Sequence, residues 1–385
     1  MNTSVLLAFV ASLIATLAVH PYLVKIALAK NIVDNPDARK LQKRPIPVLG
    51  GAAIFLGIII GIGVSGLHVD CSSLMIIIAA MVVMLYIGMI DDILGLSPSL
   101  RFVIETLLVC LLISYSGLSI NSFHGLWSIY GIPLFVAFPL TVIATVGIIN
   151  SINLIDGVDG LSSGYCMLAC SVFGYYFGLS GQHDMLILAS ASVGSMLPFF
   201  LHNVFGQSSK MFIGDGGTLT MGIVLSTFVV HTLSNTSHIP VNIDPTFGLV
   251  PFTLAVLSIP VFDTLRVMLA RIMRGTSPFH PDKTHLHHLF IELRFSHAGA
   301  AVSIISLNAL VIAAQILTWR LGGSINLQLY VVIAMSILCT IGLYFGMHHI
   351  SEDNILKRIM YRIGLATRFE RKGIFLMLQH LVDKL

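Results

Sequence analysis

Charged residues are scarce in this sequence. Asp, Glu, Lys and Arg make up 10% of its 385 residues, whereas 56% are hydrophobic and the mean hydropathy is +0.92. This composition excludes an ordinary water-soluble domain, in which about a quarter of the residues are charged.

Cysteine and an N-terminal basic segment are also largely missing. The five cysteines contain no zinc-type CxxC pair, so we predict no disulfide framework. No Lys or Arg precedes the first apolar run. A cleavable signal peptide normally begins with basic residues, and we therefore predict an uncleaved first helix.

Long apolar runs dominate the sequence instead. A helix needs about 20 apolar residues to cross the bilayer core, and only helices or closed barrels satisfy their backbone groups there. These runs lack the alternation of barrel strands. They predict an all-α polytopic membrane protein with about eleven transmembrane helices. The runs cover residues 4–24, 48–66, 73–90, 101–116, 133–150, 160–178, 185–201, 217–233, 249–273, 299–319 and 327–346.

Basic residues predict the orientation of these helices, because positively charged loops stay in the cytoplasm. Of the 21 Lys and Arg residues, only Arg320 falls on the opposite side from the others. We expect the N-terminus outside and the C-terminus in the cytoplasm. We also expect an integral-membrane domain over residues 1–346 and a basic, amphipathic cytoplasmic tail over residues 347–385.

Clusters of polar residues follow the same division. The predicted inner loops, 25–47, 91–100, 151–159, 202–216 and 274–298, contain grouped Asp, Asn and His residues, whereas the outer loops contain scattered ones. Unrelated loop residues would fall on both sides. The segregation therefore predicts one cytoplasmic-face site that is built from several inner loops.

Two acidic motifs stand at the ends of predicted spans. Adjacent carboxylates such as Asp91 and Asp92 repel each other, and a divalent cation bound through oxygens relieves this; the alternative is a solvated helix end. Asn153, Asp156 and Asp159 are spaced three apart, so they would present three oxygen-bearing side chains in one direction. The alternative for these three residues is helix capping.

A third acidic motif is GDGGT, in which Asp215 precedes two glycines at the start of a helix. Backbone amides favour anions there, so the aspartate predicts a metal that in turn holds a pyrophosphate. The alternative is a plain Asp-Gly-Gly turn. The motif is too short for a P-loop.

Histidines cluster in the sequence HPDKTHLHH at residues 280–288. The imidazoles and Lys283 could donate hydrogen bonds to phosphate oxygens. A zinc site completed by Asp282 or His280 is one alternative, and a structural loop is another.

Two further groups of charges lie near the predicted inner surface. Arg39, Lys40 and Arg44 precede the second span, where a lipid phosphate would lie; the alternative is ordinary positive-inside charge. Asp263 and Arg266 lie within the ninth predicted span. Charges inside a span are usually functional, and the alternative for this pair is an internal ion pair.

Six motifs occur in a fixed order: RKLQKRPIPVLGG, DDILGLSP, NSINLIDGVDGLSSG, FIGDGGTLTMG, PVFDTLRVM and SPFHPDKTHLHH. This set spans about residues 31 to 300 and resembles the polyprenyl-phosphate N-acetylhexosamine-1-phosphate transferases. The similarity is to their bacterial WecA/TagO-like branch, which is related to MraY.

The resemblance implies a reaction at the cytoplasmic face of the bacterial plasma membrane. Undecaprenyl phosphate and a UDP-N-acetylhexosamine, with GlcNAc as the expected sugar, would give a lipid-diphosphate sugar and UMP. This is the first membrane step of cell-surface polysaccharide synthesis. The implied cofactor is Mg²⁺, with Mn²⁺ as a substitute. A homodimer is common in the family, and we expect no nucleic-acid partner.

The resemblance also implies roles for individual residues. Catalytic roles go to Asp91, Asp92, Asp156, Asp159, His285 and His288. The metal would be held by Asp215, Asp91 and Asp92. The resemblance assigns substrate contacts to Asn153, Asn203, Phe212 and His287. The charges and positions described above add Lys283, Arg39, Lys40, Arg44, Arg101, Asp263 and Arg266.

The sequence departs from the motifs of related enzymes at two positions, which bear on the sugar donor. Two other classes of membrane protein are alternatives. Gly95 replaces the lysine of the peptidoglycan enzyme's DDxxK motif, and Gln42 stands where relatives often have His; both argue against a phospho-MurNAc-pentapeptide donor. An intramembrane aromatic prenyltransferase would explain NLIDGVD but needs a second such motif. An ion-coupled transporter often shows repeated halves, and none is apparent.

Overall fold

The computed structural model describes residues 3–35, 44–66, 74–235, 244–278, 282–368 and 373–384. Within these ranges the chain is predominantly helical, which confirms the predicted all-α class. The two strands there are β1 (Val33–Asp34) and β2 (Ile46–Pro47). They pair in antiparallel fashion, with Val33 opposite Pro47 and Asp34 opposite Ile46.

Sixteen α-helices, α1 to α16, follow one another in the described ranges, and a short 3-10 helix, Leu126–Ser128, lies between α4 and α5. In chain order they are Thr3–Ala29, Gly50–Gly66, Met75–Leu94, Pro98–Ser116, Leu134–Leu154, Leu161–Ser180, His183–Phe205, Gly214–Leu233, Leu249–Val256, Ser258–Met273, Leu286–Glu292, His297–Arg320, Ile325–Ile337, Leu343–His349, Ile355–Ala366 and Ile374–Lys384. A π-helical segment, Leu338–Gly342, joins α13 to α14.

Eight helical segments in the described part of the chain are long and apolar enough to cross a membrane. The continuous run Ile325–His349 counts as one of them, and the pair α9 and α10 would bring the number to nine. Helix α2 is apolar but has only 17 residues. Helices overlie all eleven predicted segments, so a polytopic helical membrane protein is confirmed. The number eleven and the orientation stay predictions.

One predicted span is broken. Residues 249–273 were expected to form a single helix, but α9 and α10 meet at an angle of 72°. Pro260 has no N–H to donate to the carbonyl of Val256, four residues earlier. The Nδ2 of Asn308 donates to that carbonyl instead, at 2.9 Å, and its Oδ1 accepts from the Ile259 amide at 3.0 Å. The Asn308 side chain thereby satisfies backbone groups on both sides of the bend, as apolar surroundings require.

The chain forms two compact units, and each is built from separated stretches of sequence. Unit 1 comprises Met1–Leu108, Ser162–Leu225 and Glu370–Leu385, and unit 2 comprises Val109–Leu161 and Ser226–Phe369. The acidic motifs at 91–92 and 215 therefore belong to unit 1. The motifs at 153–159 and 280–288 belong to unit 2. The predicted boundary at residue 346 stays a prediction.

In unit 1, helices α1, α2 and α7 pack closely through small residues. A Cβ added at Gly57 would collide with the hydroxyls of Thr16 and Ser195. These two buried hydroxyls lie 2.8 Å apart, and Ser195 Oγ also donates to the Ile54 carbonyl at 2.7 Å. Small residues and buried hydroxyls of this kind hold helices together where lipid removes the hydrophobic driving force.

The tail reaches back into unit 1 through α16. The Oδ1 of Asp383 accepts hydrogen bonds from the backbone amides of Gln207, Ser208 and Ser209, at 2.9, 3.1 and 3.0 Å. Burial raises the pKa of Asp383, but the amides of Ser209 and Gln207 outweigh it, so the pKa lies below its usual value. This carboxylate fixes the loop that leads towards α8.

Candidate active site

Two carboxylates of unit 1 converge on one guanidinium group. Asp91 lies in the last turn of α3, and Asp215 is the second residue of α8. The Nη1 of Arg101, on α4, lies 3.0 Å from Asp91 Oδ2 and 3.1 Å from Asp215 Oδ2. The structure thus brings together three residues that the sequence places in separate motifs. Arg101, predicted to contact substrate, here bridges two acids.

The Asp92 side chain has different partners from that of Asp91. Its Oδ1 accepts from the Asp215 amide at 3.0 Å, and its Oδ2 accepts from the Gly216 amide at 3.3 Å. A carboxylate in this position satisfies unpaired amides and complements the helix dipole. Gly214 makes the approach possible because its φ is +68° and a Cβ there would collide with Asp92 Oδ2. Asp92 therefore joins the end of α3 to the start of α8, and its predicted metal role stays a prediction.

The loop before α8 is held by backbone hydrogen bonds to residues on either side of the start of α2. The Phe212 amide donates to the Pro47 carbonyl at 2.8 Å, and the Gly51 amide donates to the Ile213 carbonyl at 2.8 Å. This pairing fixes the position of Asp215, two residues further on.

Two predicted substrate-contact residues of unit 1, Asn203 and Phe212, lie on or beside this loop. Buried Asn203 donates from Nδ2 to the Met211 carbonyl at 3.0 Å, so it supports the loop. The Phe212 ring lies 6.0 Å from Lys210 Nζ. Arg44 is exposed, and Arg39 and Lys40 lie outside the described residues.

In unit 2, Asp263 and Arg266 form a buried ion pair. Arg266 Nη2 lies 2.6 Å from Asp263 Oδ1, and Asp263 Oδ2 bonds both His285 Nδ1 at 2.9 Å and the Leu286 amide at 3.1 Å. The guanidinium also donates to the Thr284 carbonyl and lies 3.9 Å from the Tyr344 ring centroid. These two residues, predicted to contact substrate, therefore hold the histidine motif in place.

The rings of three histidines lie close together at the start of α11. The rings of His285 and His287 are nearly parallel at 5.8 Å, and those of His287 and His288 lie 4.3 Å apart. Burial, aided by His288 and His285, lowers the pKa of His287 to about 3. Burial, followed by the neighbouring His285 and Lys283, also lowers the pKa of His288. Both imidazoles are neutral at pH 7, and a neutral imidazole can donate one hydrogen bond. Lys283 is exposed beside them.

The acidic turn of unit 2 lies against these histidines. It follows α5, with Asn153 in the last turn of that helix and Asp156 exposed beyond it. A Cβ at Gly157 would collide with the His287 ring, so only glycine allows this approach. Asp159 Oδ2 lies 3.0 Å from His297 Nδ1. The motifs NLIDGVDG and HLHH, which are separate in sequence, therefore form one cluster.

Two residues of these clusters were missed at the level of sequence. His297, the partner of Asp159, begins α12 and belongs to no motif. Glu105 is fully buried, and its Oε1 lies 3.5 Å from Arg101 Nε. A carboxylate inside an apolar run, four residues after an arginine, was a signal that could have identified Glu105.

Replacing Gly157 with Ala is expected to destabilise the protein by about 1–3 kcal/mol and to reduce turnover, because the new methyl group must displace the stacked His287 ring. The backbone of Gly157 is not in the left-handed region, so the collision accounts for the effect. Thermal unfolding in detergent measures the change. Gly147→Ala is the control, because a Cβ there meets nothing within 4 Å. Equal unfolding temperatures of the two variants would contradict the assigned packing.

A divalent cation fits the unit 1 cluster by the chemistry of its donors. In the described ranges, no group of three or more His, Cys, Asp or Glu side chains could by itself hold a metal ion. Magnesium, however, is usually held by one or two carboxylates, with water and substrate phosphates completing the shell. Asp91 and Asp215 supply two carboxylates whose oxygens already converge on one positive group.

The chain is similar to known proteins over most of its length. Residues 74–233 match the family described as Glycosyl transferase family 4. The chain is also 30% identical, over 301 residues, to a protein of Bacillus subtilis (strain 168) named probable undecaprenyl-phosphate N-acetylglucosaminyl 1-phosphate transferase. The alignment covers 78% of this chain and 81% of that protein. The chain belongs to glycosyl transferase family 4. The resemblance drawn from the six motifs is confirmed.

Further relatives of this chain carry a similar name. Proteins named undecaprenyl-phosphate alpha-N-acetylglucosaminyl 1-phosphate transferase are 28% identical in Escherichia coli (strain K12) and 29% identical in Salmonella typhi. Each alignment covers 75% of this chain and 77% of the relative. The family match spans the acidic motifs from Asp91 to Asp215 and ends before Asp263 and the histidine cluster.

Proposed function

We propose that this protein transfers N-acetylhexosamine-1-phosphate from a UDP-sugar to undecaprenyl phosphate, with release of UMP. GlcNAc is the expected sugar, because the relatives in three bacteria are named for it. The observation that carries the proposal is the convergence of Asp91 and Asp215 at the ends of two apolar helices. Such a pair suits a magnesium-bound diphosphate at a membrane surface.

The reaction is a single displacement. An oxygen of the lipid phosphate attacks the β-phosphorus of the UDP-sugar, the bond to the bridging oxygen breaks, and UMP leaves with the electron pair. A phosphate monoester has a second pKa near 6, so much of the nucleophile is dianionic at pH 7 without a strong base. Isolation of a phosphorylated Asp91 or Asp92 would contradict this mechanism.

The protein positions the reactants and balances their charge, as in other phosphoryl transfers. Mg²⁺ held by Asp91 and Asp215 would neutralise charge on the diphosphate. His288, His287 and Lys283 of unit 2 would donate hydrogen bonds to phosphate oxygens. In the same unit, Asp263 holds the His285 imidazole, and Arg266 pairs with Asp263. In unit 2, Asn153, Asp156 and Asp159 are proposed contacts of the nucleotide. In unit 1, Phe212 is a proposed contact of uracil.

The proposal includes a topology. Eleven spans, with the N-terminus outside and the C-terminus inside, would place the motifs on the cytoplasmic face of the bacterial inner membrane, where UDP-sugars occur. The distribution of basic residues supports this orientation. A homodimer remains part of the proposal.

Purified protein with undecaprenyl phosphate, Mg²⁺ and a panel of UDP-sugars tests the function through UMP release. We expect UMP and a lipid-diphosphate sugar in equal amounts, with UDP-GlcNAc the best donor and no product after chelation of the metal. Consumption of a prenyl diphosphate without UMP would indicate the aromatic prenyltransferase. Solute uptake into vesicles without a lipid product would indicate a transporter.

A further inference from the structure

We propose that Arg101 is a built-in counter-ion that occupies the place of the divalent cation between Asp91 and Asp215 and leaves it when the cation binds. This inference rests on the proposed function, because it assumes a cation at these two carboxylates. It adds a positioning role that neither the motifs nor the names of the relatives assign.

The geometry of one nitrogen atom supports the inference. A single atom, Arg101 Nη1, lies about 3 Å from one oxygen of each carboxylate, at 3.0 Å for Asp91 and 3.1 Å for Asp215. The guanidinium therefore occupies the point at which the two acids converge. Magnesium binds carboxylate oxygens at about 2.0–2.1 Å, so the cation and Nη1 cannot occupy this point together.

Electrostatics explain why the protein needs such a group. Two carboxylates that converge in a poorly solvated place destabilise each other unless a positive charge lies between them. The side chains of Arg101, Asp91 and Asp215 are 16%, 12% and 33% exposed. Helix α3 carries no Lys or Arg of its own, so the compensating charge comes from the neighbouring helix α4.

Glu105 gives the arginine a second partner after displacement. Its Oε1 lies 3.5 Å from Arg101 Nε, one helical turn further along α4. This contact involves the opposite side of the guanidinium from Nη1, so it can persist while Nη1 moves. A fully buried carboxylate beside the arginine keeps the positive charge close to the cluster.

The exchange has a consequence for binding. A cation that enters alone must break two charge-assisted hydrogen bonds, so its affinity is reduced. A substrate phosphate that enters with the cation would accept hydrogen bonds from the displaced guanidinium in a favourable geometry. Cation and phosphate therefore bind cooperatively, and the coupling is reciprocal.

Direct binding of Mn²⁺ to the detergent-solubilised full-length protein, followed by the electron paramagnetic resonance signal of free Mn²⁺, tests the inference without turnover. In the absence of substrate we expect Arg101→Gln to bind Mn²⁺ about tenfold more tightly than the wild type. Arg101→Lys should fall between them. Arg320→Gln is the matched control, because Arg320 is exposed and lies beside the Trp319 ring in unit 2; it should bind like the wild type.

Thermal unfolding provides a second measurement. Without a cation, Arg101→Gln should unfold at a lower temperature than the wild type. Addition of Mn²⁺ should raise the unfolding temperature of Arg101→Gln by more than it raises that of the wild type. Equal or weaker Mn²⁺ binding by Arg101→Gln would overturn the inference. So would a gain in binding that persists when Asp91 is also replaced by Asn. Failure of the proposed function is recognised separately, because the wild type would then release no UMP.

Discussion

Replacing Asp215 with Asn is expected to reduce UMP release by at least about a hundredfold, because it removes one of two charges that would hold the metal diphosphate. The change is nearly isosteric. The hydrogen bond from residue 215 to Asp92 comes from the backbone N–H, which the substitution does not change. The connection between α3 and α8 therefore remains. UMP release and thermal unfolding should be measured on the same preparation.

Asp353→Asn is the control for this experiment. Asp353 lies in an exposed turn and pairs with the exposed Arg358, at 3.3 Å, so its loss should leave both turnover and stability near wild type. If Asp215→Asn retained turnover within about tenfold of the wild type, Asp215 would not be a metal ligand in the reaction.

The second large effect is expected from Gly51→Ala, at the contact between α2 and α8. A Cβ at Gly51 would collide with the backbone nitrogen and Cα of Gly217, and backbone atoms cannot move aside as a flexible side chain can. We expect a loss of about 1–3 kcal/mol of stability. Turnover should fall with it, because separation of the two helices weakens the bond from the Gly51 amide to Ile213 that positions Asp215.

Gly63→Ala tests the same substitution on the same helix in open space. A Cβ there meets nothing within 4 Å, and Ala favours a helix interior over Gly by about 1 kcal/mol. Its unfolding temperature should equal or exceed that of the wild type. If Gly51→Ala behaved like Gly63→Ala, the close contact of α2 with α8 would be wrong.

The sequence was sufficient to predict where the helices lie but not to predict the break between α9 and α10. Apolar runs fix where helices form because the backbone has no other way to satisfy its amides in lipid. The bend before Pro260 depends on Asn308, about fifty residues away, whose side chain replaces the lost bonds. Pro260 alone does not predict a break, because membrane helices tolerate proline when neighbouring side chains satisfy the backbone groups that it leaves unpaired.

At the candidate site, the sequence identified the motifs but not the pairing of their side chains. Asp91 and Asp92 are adjacent, yet one faces Arg101 while the other caps α8, because successive residues of a helix point in different directions. For Asp263 and Arg266, the ion pair given as the alternative is what the structure shows. His297 was missed because its partner Asp159 is far away in sequence, and spacing carries no information about such a pair.

The three-part composition of unit 1 has a consequence for the order in which the protein is made. The stretch that contributes Asp383 leaves the ribosome only after the whole of unit 2 has been synthesised. Until then the amides of Gln207, Ser208 and Ser209 must bond water or remain unpaired. The newly made chain can therefore insert its helices early, but the loop before Asp215 reaches its final form late in biogenesis.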